Sequence, residues 1–143
     1  MIGTITIDGK EYEASYKGIT ARVYREQFHS DLIVDLMEAQ QKMLEAIQEE
    51  AKKGTEFTDE KFIMLTVKTI GEELLTQFLF ASIQGELKLK GKRGLNYRSF
   101  VDNVEDYDTF IGACVGVYQI LSYAGQSTEQ EQEQETETKK KEA

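Results

Sequence analysis

An alternating ribbon at the start of the chain, Thr4-Ile5-Thr6-Ile7 and Lys10-Glu11-Tyr12-Glu13-Ala14 around Asp8-Gly9, limits the folds open to it. Asp-Gly tolerates the positive φ that a two-residue hairpin turn demands, which sets Ile5 opposite Tyr12 and gives both strands a common apolar face. A lone hairpin is marginal in water, so that face needs a cover, and everything after Ile19 reads as helical. The expected fold is mainly α, with about four to five helices behind an N-terminal β-hairpin. The helical domain is assigned to residues 1–125 and a separate acidic tail to 126–143.

The helices follow from apolar spacing and cap residues. Thr20 reads as the cap of a first helix over residues 20–29, with Val23, Tyr24 and Phe28 on one face. Ser30 reads as the next cap, with Asp31 in the first turn where the helix dipole favours an anion. Leu32, Ile33, Leu36, Met37, Met43, Leu44 and Ile47 form the apolar stripe of that second helix, and Gly54 is its stop signal. Thr58-Asp59-Glu60 opens a long apolar run from Phe62 to Ile83, the expected central helix, which is apolar on more than one face from Phe78 to Ile83. Gly85 and Gly91-Lys92-Arg93-Gly94 mark the following loop, in which Leu87 and Leu89 suit a short strand or exposed loop. Asn96 or Ser99 caps a short helix through Val104, and a last helix is expected over Asp106 to Tyr123. Gly112 and Gly116 are read as permitting close approach of another helix of the same domain.

A formal charge of −9 disfavours phosphate backbones and anionic membranes and favours basic or neutral protein partners. Residues 126–143, rich in Glu, Gln and Lys, bury too little apolar area to offset ordering and are expected to be disordered. The single Cys114 sits in an apolar run and reads as a core residue of a reduced, cytoplasmic protein. Neither a secretion signal nor a membrane-length apolar stretch is seen, so the chain is expected to stay soluble where it is made.

The search for chemistry finds no constellation that makes an enzyme. His29, Asp31 and Asp35 are the nearest approach to a metal site, but a helix break separates them and no second histidine joins them. Asp102, Glu105, Asp106 and Asp108 lack the glycine and alternation of a calcium loop and suit the start of a helix. Neither a phosphate loop, a nucleophile elbow nor a cysteine-histidine pair is present, so no cofactor or metal is expected. The one basic patch, Lys88, Lys90, Lys92, Arg93 and Arg98 beside Tyr97, suits an acidic partner, including a neighbouring copy of this chain; a solvated loop is the competing reading. It carries no nucleic-acid motif.

The ribbon with its Asp8-Gly9 turn, followed by Ile19-Thr20-Ala21-Arg22-Val23-Tyr24-Arg25-Glu26-Gln27-Phe28-His29-Ser30-Asp31-Leu32, resembles the opening of the tail assembly chaperones of long-tailed phages and prophages of Gram-positive bacteria. The helical middle and charged C-terminus agree in layout. Relatives carry glycine where this chain has His29, so the turn between the first two helices is expected to differ. The resemblance implies a non-catalytic protein of the host cytoplasm, left out of the mature virion. Such a protein binds the tape measure protein, keeps its apolar helices from aggregating and helps recruit major tail tube subunits. It also implies a longer form made by ribosomal slippage, for which Lys139-Lys140-Lys141 offers a site, with the tail as a flexible tether. Tyr12, Tyr16, Tyr24 and Phe28 are candidate contacts because aromatic side chains anchor interfaces, with core packing as the competing role. Lys88, Lys90, Lys92 and Arg93 complete the candidate surface. A structural tail or connector subunit retained in the virion is the alternative function.

Overall fold

The computed structural model describes residues 2–54 and 56–122. The expected domain boundary at 125 and the tail at 126–143 lie outside the described residues. Strands β1 (Ile2–Ile7) and β2 (Lys10–Ser15) pair antiparallel, with Ile5 opposite Tyr12. Asp8 and Gly9 take φ of 51° and 80°, the left-handed pair whose twist matches that of the flanking strands. Six helices follow among the described residues: α1 (Gly18–Phe28), α2 (Leu32–Lys52), α3 (Asp59–Ile70), α4 (Glu72–Leu89), α5 (Tyr97–Asp102) and α6, residues 107–122. The fold is mainly α with an N-terminal hairpin. No helix among the described residues is long and apolar enough to cross a membrane.

The run expected as one central helix is two. Gly71 takes φ 97° and ψ 147°, a region that costs a side chain dearly; its N–H closes α3 on the Val67 carbonyl while its own carbonyl accepts from Leu75 N in α4. Apolar continuity across 62–83 hid the break, because both new helices keep apolar faces toward the core. The expected central role belongs to α4, where every residue from Phe78 to Ile83 is buried. Both α1 and β2 pack on it. Gly85, read from sequence as a loop marker, lies inside this helix. A Cβ there would stand 3.4 Å from Ile19 Cγ2 and 3.5 Å from the Thr20 backbone, in ordinary contact, so the start of α1 crosses closely here and leaves room for little beyond a methyl group. Leu87 and Leu89 are accordingly helical, neither strand nor loop.

The helix ends also refine the cap assignments. Thr20 is the third residue of α1, and its Oγ1 accepts from Lys17 N at 3.0 Å while donating to the Ser15 carbonyl at 3.0 Å. It ties helix to hairpin instead of starting the helix. Asp31, in place of Ser30, caps α2, accepting from Ile33 N and Val34 N at 3.0 and 3.3 Å. Ser30 donates to Asp35 Oδ2 at 2.7 Å, and the Tyr24 hydroxyl donates to the same oxygen at 2.6 Å. Thr58 caps α3, Asn96 caps α5, and Asp106 accepts from Thr109 N at the head of α6. A longer link was invisible to local reading: the Asp8 carboxylate accepts Glu105 N at 2.9 Å and Asp106 N at 3.0 Å, so the hairpin turn holds the entry to α6.

Between α1 and α2, His29 takes φ 54° and ψ 38° and donates its N–H to the Arg25 carbonyl. The turn has the left-handed shape that glycine adopts most readily. Its side chain is exposed, so the strain has no packing return. His29→Gly is expected to stabilise the protein by about 0.5–1 kcal/mol, read as a higher urea midpoint at unchanged slope. An unchanged or lower midpoint would contradict this account of the turn.

Candidate functional site

The sequence-derived candidates fall into three places. Tyr24 is fully buried, stacked near Phe78 with centroids 5.9 Å apart, and burial together with the Asp35 hydrogen bond raises its hydroxyl above the ordinary tyrosine range. Phe28 is half-buried in an edge-on aromatic set with Tyr24 at 5.2 Å, Tyr97 at 4.9 Å and Phe80 at 6.1 Å. Tyr16 is half-buried against the core, and burial raises its hydroxyl also. Tyr24 and Phe28 line the packing of α1 on α4 and α5.

Tyr12 stands apart from them and joins the basic residues. A cleft of about 470 Å³ opens between β2, the last turns of α4 and the loop after it, lined by Tyr12, Lys10, Lys90, Lys92, Arg93 and Leu95 together with Glu11, Glu13 and Glu86. The Tyr12 ring meets Phe100 edge-on at 5.9 Å, and Lys10 Nζ lies 5.3 Å from its centroid. The loop is held by the Gln84 side chain, which accepts from Leu95 N at 2.8 Å and donates to the Leu95 carbonyl at 3.2 Å. Of the basic patch, Lys88 points elsewhere, 3.8 Å from Glu26 on α1. Lys90 pairs with Glu13 and stands 4.0 Å from Glu86. Lys92 and Arg93 make no ion pair among the described residues and supply the open positive charge at the rim.

Glu86 is the group that sequence reading passed over. It lies on α4 in a stretch that looked like a loop, which removed any reason to expect it inside. Its side chain is 4% exposed, with Lys17 Nζ 2.7 Å away and the Ser15 hydroxyl donating to the same oxygen. The Lys17 and Ser15 hydrogen bonds hold its carboxyl below the ordinary glutamate range, against the opposing effect of burial. A general acid or base at neutral pH requires the reverse shift, so this carboxylate is arranged as a clamp between hairpin and helix.

Other candidates resolve into structure. Burial pushes the Cys114 thiol up to about 12, leaving it a packed side chain with little thiolate. Asp106, from the acidic set, is lowered by its hydrogen bonds to the Thr109 hydroxyl and backbone. Among the described residues no group of His, Cys, Asp and Glu has the geometry of a metal site.

A third surface comes from Gly112 and Gly116 on α6. A Cβ built on either meets nothing within 4 Å, so the close helix approach expected there is not made by the described residues. The two glycines instead line a depression of about 310 Å³ together with Asp59, Phe62 and Ile63 of α3 and Val115 and Gln119 of α6. Ile63, Met64 and Phe57 leave large apolar area exposed on the α3 side. Comparison with protein-family models, with curated proteins and with solved structures yields no match.

The Glu86 clamp makes stability depend on acid pH in one direction. Its folded pKa lies below the unfolded value of about 4.3, so its contribution is complete above that value and is lost as pH falls through the folded pKa. Glu86→Gln is expected to cost roughly 1–3 kcal/mol at neutral pH and to flatten the fall in stability below about pH 5. Urea titrations at several pH values check both, and parallel pH profiles for variant and wild type would refute the clamp.

Proposed function

We propose that this protein is a tail assembly chaperone, a binding protein without turnover that shields the apolar helices of a phage tape measure protein and helps recruit major tail tube subunits. The observation that supports this most is the glycine-lined groove between α3 and α6. Helix-in-groove binding needs an apolar trough into which a client helix lays its apolar stripe, and missing side chains in its lining let the two backbones approach closely. Phe62, Ile63 and Val115 provide the apolar lining, and exposed Met64 and Phe57 extend the apolar surface beyond them. The client is a long helical rod whose apolar stripes stay open until a tube encloses it, and apolar area of that kind aggregates when left uncovered.

Charge fits the same reading. A net charge of −9 on each copy keeps a coated client dispersed by mutual repulsion. The cleft at Tyr12, Lys90, Lys92 and Arg93 is a second surface, suited to an acidic segment such as one on a tube subunit. Host cytoplasm is the place for this work. Mature particles containing the protein in stoichiometric amounts would favour a structural tail or connector subunit instead.

Filling the groove separates folding from binding. Gly112→Ala with Gly116→Leu replaces two helix-interior glycines whose Cβ positions are open, so the variant is expected to be as stable as wild type or about 1–2 kcal/mol more stable. On co-expression, wild type is expected to carry the tape measure protein into the soluble fraction, and the filled variant to leave most of it in the pellet. A tape measure protein that stays equally dispersed without the chaperone would overturn the function. Equal solubilisation by both forms would remove the groove from it.

A further inference from the structure

Helix α2 carries two apolar stripes, and only one of them is used. Leu32, Leu36, Ala39 and Met43 face the core of the chain and are buried. One position further along, Ile33, Met37, Leu44 and Ile47 repeat the same spacing with Gln40 and Ala51 completing it, a heptad seam running almost the length of the helix. Ile33, Met37, Leu44 and Ile47, with Val34 beside them, are 37–61% exposed. An ordinary surface helix of a globular domain has one apolar stripe facing its own core and polar residues opposite. This second seam is a coiled-coil face without a partner among the described residues.

We propose that the seam is filled by α2 of a second copy of this chain, running antiparallel. Three observations choose that occupant. Residues 123–143 offer only Tyr123, Ala124 and Ala143 as apolar residues and no repeating stripe with which to cover the seam. The flank turned away from the core carries Val34, Gln41 and Gln48, while the acids of α2 on that side, Glu38 and Glu45, stand roughly 120–140° round the helix from the seam. Two strongly acidic chains therefore meet here through a neutral strip, where a surface built for a basic client helix would place its carboxylates at the edge. The half-exposed side chains leave on the order of 400 Å² of apolar surface per copy, about half of the roughly 800 Å² that a standard interface buries on each partner.

The antiparallel register follows from the seam itself. With the two-fold axis at residue 42, Ile33 meets Ala51, Met37 meets Ile47 and Gln40 meets Leu44 of the second copy, so large side chains face small or unlike ones in every layer. Gln41 then lies beside Gln41 of the second copy, no carboxylate faces its own duplicate across the flank, and the helix dipoles oppose. A parallel pair would bring Gln40 against Gln40 at its centre and align the dipoles.

The test needs only the full chain, and it reads a face distinct from the α3–α6 groove without any client, so its outcome and that of the proposed function are separable. Sedimentation equilibrium at micromolar concentration is expected to give twice the chain mass of 16.3 kDa. Met37→Glu with Leu44→Glu, both exposed in the single chain, is expected to return the mass to one chain, weakening association at least tenfold while leaving circular dichroism nearly unchanged and making the melting temperature independent of concentration. In chains otherwise native, Gln41→Cys is expected to form an intermolecular disulfide on oxidation and Met37→Cys to form none, a readout that holds if the double variant fails to fold. A wild-type monomer, a dimer that survives the double variant with its fold intact, or efficient linking through Met37→Cys in place of Gln41→Cys would each overturn the proposal.

Discussion

Complete burial of the middle of one helix governs the rest of this structure. From Phe78 to Ile83 no face of α4 reaches water, and a helix in that position must be covered all round by the remainder of the chain. The hairpin lies on it through β2 and α1 crosses it at Gly85, the point where any side chain would meet Ile19 and the Thr20 backbone. Glu86, the next residue, is the one charge admitted to this environment. It is tolerated because Ser15 and Lys17 satisfy it from the hairpin side, which fixes the rotation of the hairpin about the helix as much as it offsets the burial of the carboxylate.

Much of the local structure was legible because it rests on neighbouring residues. The Asp8-Gly9 turn, the register of Ile5 on Tyr12, the Thr58 cap and the Gly54 stop all depend on side chains within a turn of the place where they act. What escaped depends on contacts across the chain. Gly85 looks like punctuation in a string, yet here it serves a helix crossing. Thr20 has the chemistry of a cap, but the Ser15 carbonyl and Lys17 amide were near enough to use it otherwise. Gly71 was overridden by the apolar residues on both sides of it, since hydrophobic spacing continues through a change of helix direction.

The binding residues show the same division. Tyr12 could be placed with Lys90, Lys92 and Arg93 only after β2 and the end of α4 were seen to share a cleft. Lys88, near them in sequence, is carried by the helix to Glu26. On α2, Leu32, Ile33, Leu36, Met37, Met43, Leu44 and Ile47 read as one broad stripe, and no periodicity argument divides such a stripe into its inward and outward halves. That division depends on how far the rest of the chain reaches round the helix, which is a tertiary fact.

The link between the Asp8 carboxylate and the amides of Glu105 and Asp106 joins residues separated by 97 and 98 positions. A ribosome makes Asp8 97 positions ahead of Glu105, so the hairpin turn waits through the synthesis of everything between them for the segment that it caps. Contacts of such long range pay their loop-closure cost before they return anything. The strands pair with each other and pack on α4 through contacts of shorter range, so it is the turn between them that is secured last.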